Sequence, residues 1–217
     1  TVAGLTNDTT YYFAVTAYDA TQESANSNEQ STTPVASPPE VTLTLEVRVA
    51  ASVDDAEERA DQSMYLNSSD LELTQEATNQ KVGMRFAGVG IPQGAQISNA
   101  YIQFKVDEVT TAATSLVIRA EAAGNAAAFN STAGNVSNRS LSAASVNWSP
   151  PAWSTIGQAG SGQRTPDISS IIQEVVDRSD WANGNGLAVI VTGTGRRTAE
   201  SFDGDNLGAP LLHIEYI

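Results

Sequence analysis

The side chains best suited to chemistry in this 217-residue sequence are its carboxylates. They cluster as Asp54, Asp55, Glu57 and Glu58, then Asp70 and Glu72, then Asp107 and Glu108, then Asp203 and Asp205. Such clusters serve two kinds of chemistry. Calcium takes ~6–8 oxygen ligands from carboxylates, carbonyls and water. Paired carboxylates can also cleave glycosidic bonds as acid and base or nucleophile. Calcium, in a structural role, is the cofactor we expect. Its candidate ligands are Asp54, Asp55, Glu57, Asp70, Glu72, Asp203 and Asp205, with Glu58, Asp107 and Glu108 as further candidates. The run Asp203-Gly204-Asp205-Asn206-Leu207-Gly208 has the composition of a calcium loop but fails as an EF-hand. Leu207 stands where the fifth-position oxygen belongs, and Ile214 where the bidentate Glu belongs. The plain alternative is that these are solvated loop carboxylates of an acidic protein.

Trp153, Trp148, Tyr65 and Trp181 are the candidate ligand-binding residues, because each falls in or beside an expected loop. Exposed aromatic rings stack on pyranose faces while polar neighbours bond the hydroxyls. Trp153, following Pro150 and Pro151, leads this set. For Trp148 and Trp181 the favoured reading is that they close the ends of a core. His213 is the single histidine, and nothing near it in sequence completes a Ser-His-Asp triad or a zinc site. The glycine-containing tracts 88–94 and 193–197 lack a P-loop pattern. No catalytic residue is assigned, and we read the chain as not an enzyme.

These side chains need a scaffold, and the periodicity says strands. In 80–108, Val82, Met84 and Phe86 alternate on one face before Gly-Ile-Pro-Gln-Gly; Ile102, Phe104 and Val106 alternate on one face after it. Pro92 and Gly94 suit a tight turn, so the stretch predicts an antiparallel pair at the centre of a sandwich. Extended patterning also predicts strands over 41–50, 69–73, 115–122, 145–148, 200–202 and 209–216, and a continuous apolar run predicts one over 187–192. The acidic run 54–61 and the Gly, Asn and Ala-rich stretch to about 138 read as loops. One helix is expected over 165–178, where Ile168, Ile171, Ile172, Val175 and Val176 form an apolar stripe. Thr165 or Asp167 is its cap, and Pro166 suits its first turn.

Composition narrows the function. The chain is 41% hydrophobic and 17% charged, hence globular. Its formal charge of −14, from 25 acidic and 11 basic residues, argues against nucleic acid and anionic membranes as partners. No apolar run reaches the ~20 residues of a membrane span. Without cysteine there is no disulfide framework. Chains of this composition, rich in Thr, Ser, Asn, Gly and Ala, are common among secreted bacterial β-modules.

Residues 1–34 carry Gly4-Leu5-Thr6, then Thr10-Tyr11-Tyr12-Phe13-Ala14-Val15-Thr16-Ala17-Tyr18-Asp19, Ser24, and Ser27-Asn28-Glu29. This pattern resembles the final strands of a fibronectin type III domain, which implies a partial domain cut at Thr1. A Pro-rich, semi-rigid linker is expected over 35–40. Residues 41–217 carry Ile91-Pro92-Gln93-Gly94-Ala95, Ala100-Tyr101-Ile102-Gln103-Phe104, Val146-Asn147-Trp148 and Arg197-Thr198-Ala199-Glu200-Ser201. They are similar to bacterial secreted jelly-roll domains counted among carbohydrate-binding modules. The resemblance implies an all-β antiparallel sandwich with one amphipathic helix, and a structural calcium between its first and last strands. It implies a non-catalytic extracellular or cell-surface module that binds polysaccharide or glycan within a larger protein. The alternative is a filament or appendage subunit that pairs with copies of itself through strands in 1–34.

Overall fold

A computed structural model describes residues 1–36 and 39–217. The chain divides into two compact units, Thr1–Val41 and Thr42–Ile217. Part of the expected linker, Ser37 and Pro38, lies outside the described residues. The first unit is a hairpin of β1 (Tyr11–Phe13) and β2 (Gln30–Thr32), paired antiparallel with Tyr11 opposite Thr32. The Tyr11 hydroxyl accepts the amide of Thr6 at 2.8 Å, and the Thr10 and Thr33 hydroxyls meet across the pair.

The second unit runs β3 (Leu43–Arg48), β4 (Asp55–Glu58), β5 (Met64–Tyr65), β6 (Asp70–Leu73), β7 (Lys81–Val89), β8 (Ile97–Gln103), β9 (Val106–Glu108), β10 (Ser115–Ala120) and β11 (Val146–Trp148). Then come α1 (Ser169–Val176), β12 (Asn185–Thr194), β13 (Arg197–Glu200) and β14 (Leu211–Tyr216). A six-stranded sheet has the order β11-β10-β12-β7-β4-β5, and three-stranded sheets have the orders β6-β13-β9 and β3-β14-β8. Every pairing is antiparallel, so the fold class is the expected all-β sandwich with one helix. Among the described residues no helix is long and apolar enough to cross a membrane.

The stretch 80–108 holds the expected strands but not the expected pair. β7 lies in the six-stranded sheet between β12 and β4, whereas β8 lies beside β14 in another sheet. The turn at Pro92–Gly94 carries the chain across the sandwich instead of back along the same sheet. Both inner faces still reach one core: Val82, Met84, Phe86, Ile102, Phe104 and Val106 are all buried in it. Alternation specifies which face is apolar, but not which strand lies alongside.

The helix is shorter than the apolar stripe suggests. Residues 165–168 instead run along the edge of β8. The amide of Ile102 donates to Thr165 Oγ1, Thr165 N donates to the Ile102 carbonyl, and Ile168 N donates to the Ala100 carbonyl. Asp167 accepts the amides of both Ala100 and Ser169, which ties the helix start to the strand. Helix formation is confined to 169–176, where Ile171, Ile172, Val175 and Val176 are buried.

The loop read as polar, 121–140, covers part of the outer face of the six-stranded sheet. Phe129, Ala126 and Val136 form a second small core there with Ala56, Ala188 and Ile190. Gly83 on β7 makes room for it, since a Cβ there would sit 2.5 Å from the Phe129 ring. The Arg139 guanidinium lies 4.1 Å over that ring, and it donates to Glu121 and to the carbonyls of Ala127 and Ala128.

Candidate functional site

The acidic run is not a loop. β4 is a strand inside the six-stranded sheet, and its four residues are buried. Its pairing with β7 sets Asp55 opposite Met84 and Glu57 opposite Val82, both core residues. Asp55 and Glu57 thus point between the sheets, while Ala56 and Glu58 point outward.

Each buried carboxyl has a defined partner. Asp55 Oδ2 accepts the amide of Phe202 at 2.8 Å. Burial, only partly offset by that bond, and then the charges of Asp203 and Asp54 push Asp55 up to about 7. Glu57 Oε1 accepts the amide of Glu72 at 2.8 Å and Gln80 Nε2 at 2.7 Å. Burial and the facing Glu72 carboxyl push Glu57 up to about 9. Burial raises Glu72 as well. These acids link β4 to the β6-β13-β9 sheet by hydrogen bonds within the interior.

Most of the expected metal ligands are therefore committed elsewhere. Asp54 is paired with Arg85 at 2.6 Å, and Asp205 with Lys105 at 2.6 Å. Asp203 accepts the Ser52 hydroxyl. Asp55, Glu57 and Glu72 are buried in their internal bonds. That set does not form one centre, a correction to the sequence expectation with a simple cause. Strand alternation sends neighbouring acids to opposite faces, and arginine or lysine neutralises others.

Among the described residues, the carboxylates that converge are Asp70, Asp107 and Glu108, with ligand atoms all within 4.8 Å of one another. Asp70 comes from β6 and the other two from β9, the strands flanking β13. Ser68 Oγ donates to Asp70 at 3.0 Å, and Arg196 lies 3.4 Å from Glu108. Burial and the charges of Asp70 and Glu108 raise Asp107. An all-oxygen donor set with strained like charge suits a hard divalent cation, and the three carboxylates could supply up to ~6 oxygens of a calcium shell. Only Asp70 belongs to the leading set read from the sequence. The signal for the others was the adjacent acidic pair at the end of a strand.

The tryptophans are core. Trp153 is 0% exposed, and its Nε1 donates to the Gly162 carbonyl. Trp148 stacks on Phe104 at 5.7 Å between centroids, and Trp153 lies 6.4 Å from Trp148. Trp181 is buried with Nε1 on the Ile91 carbonyl. No sugar ring can reach these faces, which corrects the expectation for Trp153 as the leading ligand residue; Trp148 and Trp181, also candidates, take instead the core role favoured for them from the sequence. The loop after Pro150 and Pro151 turns inward because buried Arg197 binds both proline carbonyls, at 3.0 and 2.8 Å. Tyr65 is half-buried, with the Arg59 guanidinium 5.0 Å from its ring centroid. His213 stacks on Tyr101 at 4.5 Å and bonds Glu46 and Glu215 on the sheet surface.

Beside Arg59 lies a pocket that sequence reasoning missed. It measures about 270 Å³ and is lined by Glu58, Arg59, Ala60, Asn79, Gln80, Lys81, Thr192 and Gly193. These residues come from β4, β7, β12 and the bend before β7, so they meet only in three dimensions. The pocket is smaller than the ~300–1,000 Å³ of a drug-sized site and has room for about one sugar ring. Its lining offers amide, hydroxyl, ammonium and guanidinium groups. No protein-family model matches this chain, and no curated protein matches it.

Proposed function

We propose that this chain is a non-catalytic extracellular module that binds a polysaccharide or cell-surface glycan, and that calcium stabilises it through Asp70, Asp107 and Glu108. The observation that carries the reading is the polar pocket on strand ends: hydrogen-bonding groups converge on a volume of sugar-ring size. The non-catalytic part rests on where the most strongly perturbed carboxyls lie. Glu57 and Glu72 are a facing pair of carboxyls with raised pKa values, as in an acid–base couple, yet they are 2% and 8% exposed between the sheets. A substrate does not reach them there, and they serve the structure.

Affinity electrophoresis through a panel of polysaccharides, with calcium and with chelator, tests the function. Retardation by at least one glycan is expected, and no retardation in either buffer sinks the reading. Calcium should also raise the unfolding temperature. Saturation at about 100 times the dissociation constant corresponds to about 2.7 kcal/mol. The shift should vanish in Asp107→Asn. An unchanged melting curve with and without calcium removes the metal from the proposal.

A second reading is favoured by the surface of the first unit. Tyr12, Val15 and Tyr18 are exposed on the hairpin. Strand pairing with another copy through residues 1–34 would cover them. Light scattering decides it: a monodisperse monomer at high concentration rejects self-assembly.

A further inference from the structure

We infer that the pocket at the end of β4, β7 and β12 selects an acidic saccharide, carboxylated or sulfated, and that Arg59 is its principal anion ligand. This rests on the glycan-binding reading above and deepens it.

The argument begins with which charges face the pocket. The Glu58 carboxylate belongs to the lining but is turned under the covering loop, with its side chain 0% exposed. It accepts the amides of Val136 at 2.9 Å and Ser137 at 2.7 Å, and Lys81 Nζ at 3.2 Å. Burial works against its charge. The bonds from Ser137, Lys81 and Val136 outweigh burial and hold it below the usual carboxylate range. Glu58 is therefore an ionised, internally satisfied anchor for Lys81. Lys81 uses one of its three donors on Glu58, and its side chain remains 41% exposed.

Arg59 is less committed still. Among the described residues its side chain donates no hydrogen bond, and its nearest carboxylate oxygen, on Glu76, is 3.8 Å from Nε. Both members of that pair are about half exposed, so the pair itself stabilises little. The guanidinium rests on the Tyr65 ring, which orients it without using its donors. A planar fork with free N–H groups matches a carboxylate or sulfate in bidentate fashion. Asn79 and Thr192 stand beside it to take sugar hydroxyls. Gln80 is itself fixed, since its Nε2 is spent on Glu57 and the Glu72 carbonyl. In a chain of charge −14, long-range attraction does not bring an acidic polymer in. Local cations must do so by contact, and these are the ones with donors to spare. Glu76 is then a built-in competitor for Arg59.

The test is affinity electrophoresis and titration calorimetry of the whole chain against three probes: a polyuronate, a sulfated polysaccharide and a neutral β-glucan. Variants are Arg59→Gln, Glu76→Gln and the control Arg196→Gln, another arginine without a side-chain hydrogen bond but paired with Glu108. Retention of one acidic probe over the neutral one is expected, and the polyuronate and sulfated arms tell which anion is taken. Arg59→Gln should weaken it about tenfold or more at an unchanged melting temperature. Glu76→Gln should tighten it, and Arg196→Gln should leave it alone. Equal loss in Arg59→Gln and Arg196→Gln means only net charge matters and overturns the inference. Neutral probe bound as well as the acidic ones, with Arg59→Gln silent, overturns it while glycan binding stands. Retention of none of the three probes by any variant overturns it outright, and failure across the wider panel above overturns the functional reading too.

Discussion

Replacing Arg197 with methionine should destabilise the second unit by about 3–5 kcal/mol, the largest single-residue effect we expect outside the apolar core. Arg197 is 2% exposed, and its bonds go to carbonyls and a hydroxyl. The guanidinium donates to the carbonyls of Pro150, Pro151, Ala112 and Arg196 and to Thr114 Oγ1, at 2.6 to 3.0 Å. Burial lowers its affinity for its proton, yet it stays charged because a guanidinium titrates so high. Removing it leaves several buried acceptors without partners, each costing about 1–3 kcal/mol before relaxation. Those acceptors hold the loop that delivers Trp153 to the core, so near-ultraviolet tryptophan ellipticity should fall as well. Arg197→Lys should not rescue, because an ammonium cannot reach both proline carbonyls and Thr114 from one point. Urea midpoints measure the cost; a loss below about 1 kcal/mol for the methionine variant contradicts this role.

The second large effect is a stability that falls as pH rises. Asp55 and Glu57 have folded pKa values near 7 and 9, against ordinary values of 3.8 and 4.5. Each therefore binds its proton more tightly in the folded state. Their stabilisation is complete below the unfolded values and is lost as pH climbs through each window, to about 7 for Asp55 and about 9 for Glu57. Each pH unit between the folded and unfolded values is worth about 1.4 kcal/mol, so Asp55 alone accounts for a loss on the order of 4 kcal/mol. The acid side is set by groups displaced the other way. Glu58, Asp167 and Glu174 are held low by hydrogen bonds, and their contribution disappears as pH drops below the ordinary carboxylate range. The optimum should sit near pH 4–5, more acidic than is usual for globular proteins. Denaturant titrations in chelator across this range should show the decline, and Asp55→Asn and Glu57→Gln should flatten it within their own windows. A wild-type profile that is flat above the optimum would falsify the assignment of these protons.

How much of this was legible beforehand depends on the length scale of the signal. The alternation in β7 and β8 is local, and it identified Val82, Phe86, Ile102 and Phe104 as inward. The acidic strand β4 also alternates, but the inward residues are acids, so composition argued for a loop. Only Gln80, Glu72 and the Phe202 amide, remote in sequence, explain why carboxyls are tolerated there. Trp153 was misjudged for a related reason. A proline-rich approach reads as exposed unless Arg197, 44 or more residues later, is known to hold it. The pocket is the furthest from legibility, since β4 and β12 meet it through β7. The convergent carboxylates were half visible, as Asp107-Glu108 is a local pair but its approach to Asp70 depends on β13 lying between their strands.

The position of β14 sets the order in which the second unit can assemble. It is the final strand of the unit in sequence, yet it lies in the middle of its sheet, with β3 on one side and β8 on the other. Until it is in place, β3 and β8 are unpaired edges with no reason to be near each other, and a partner chain could add to either. Pairings this distant in sequence slow folding into the millisecond-to-second range. During synthesis the β3-β14-β8 sheet cannot close until residues 211–216 are available. A version permuted to place β14 directly before β3 should fold faster at similar stability.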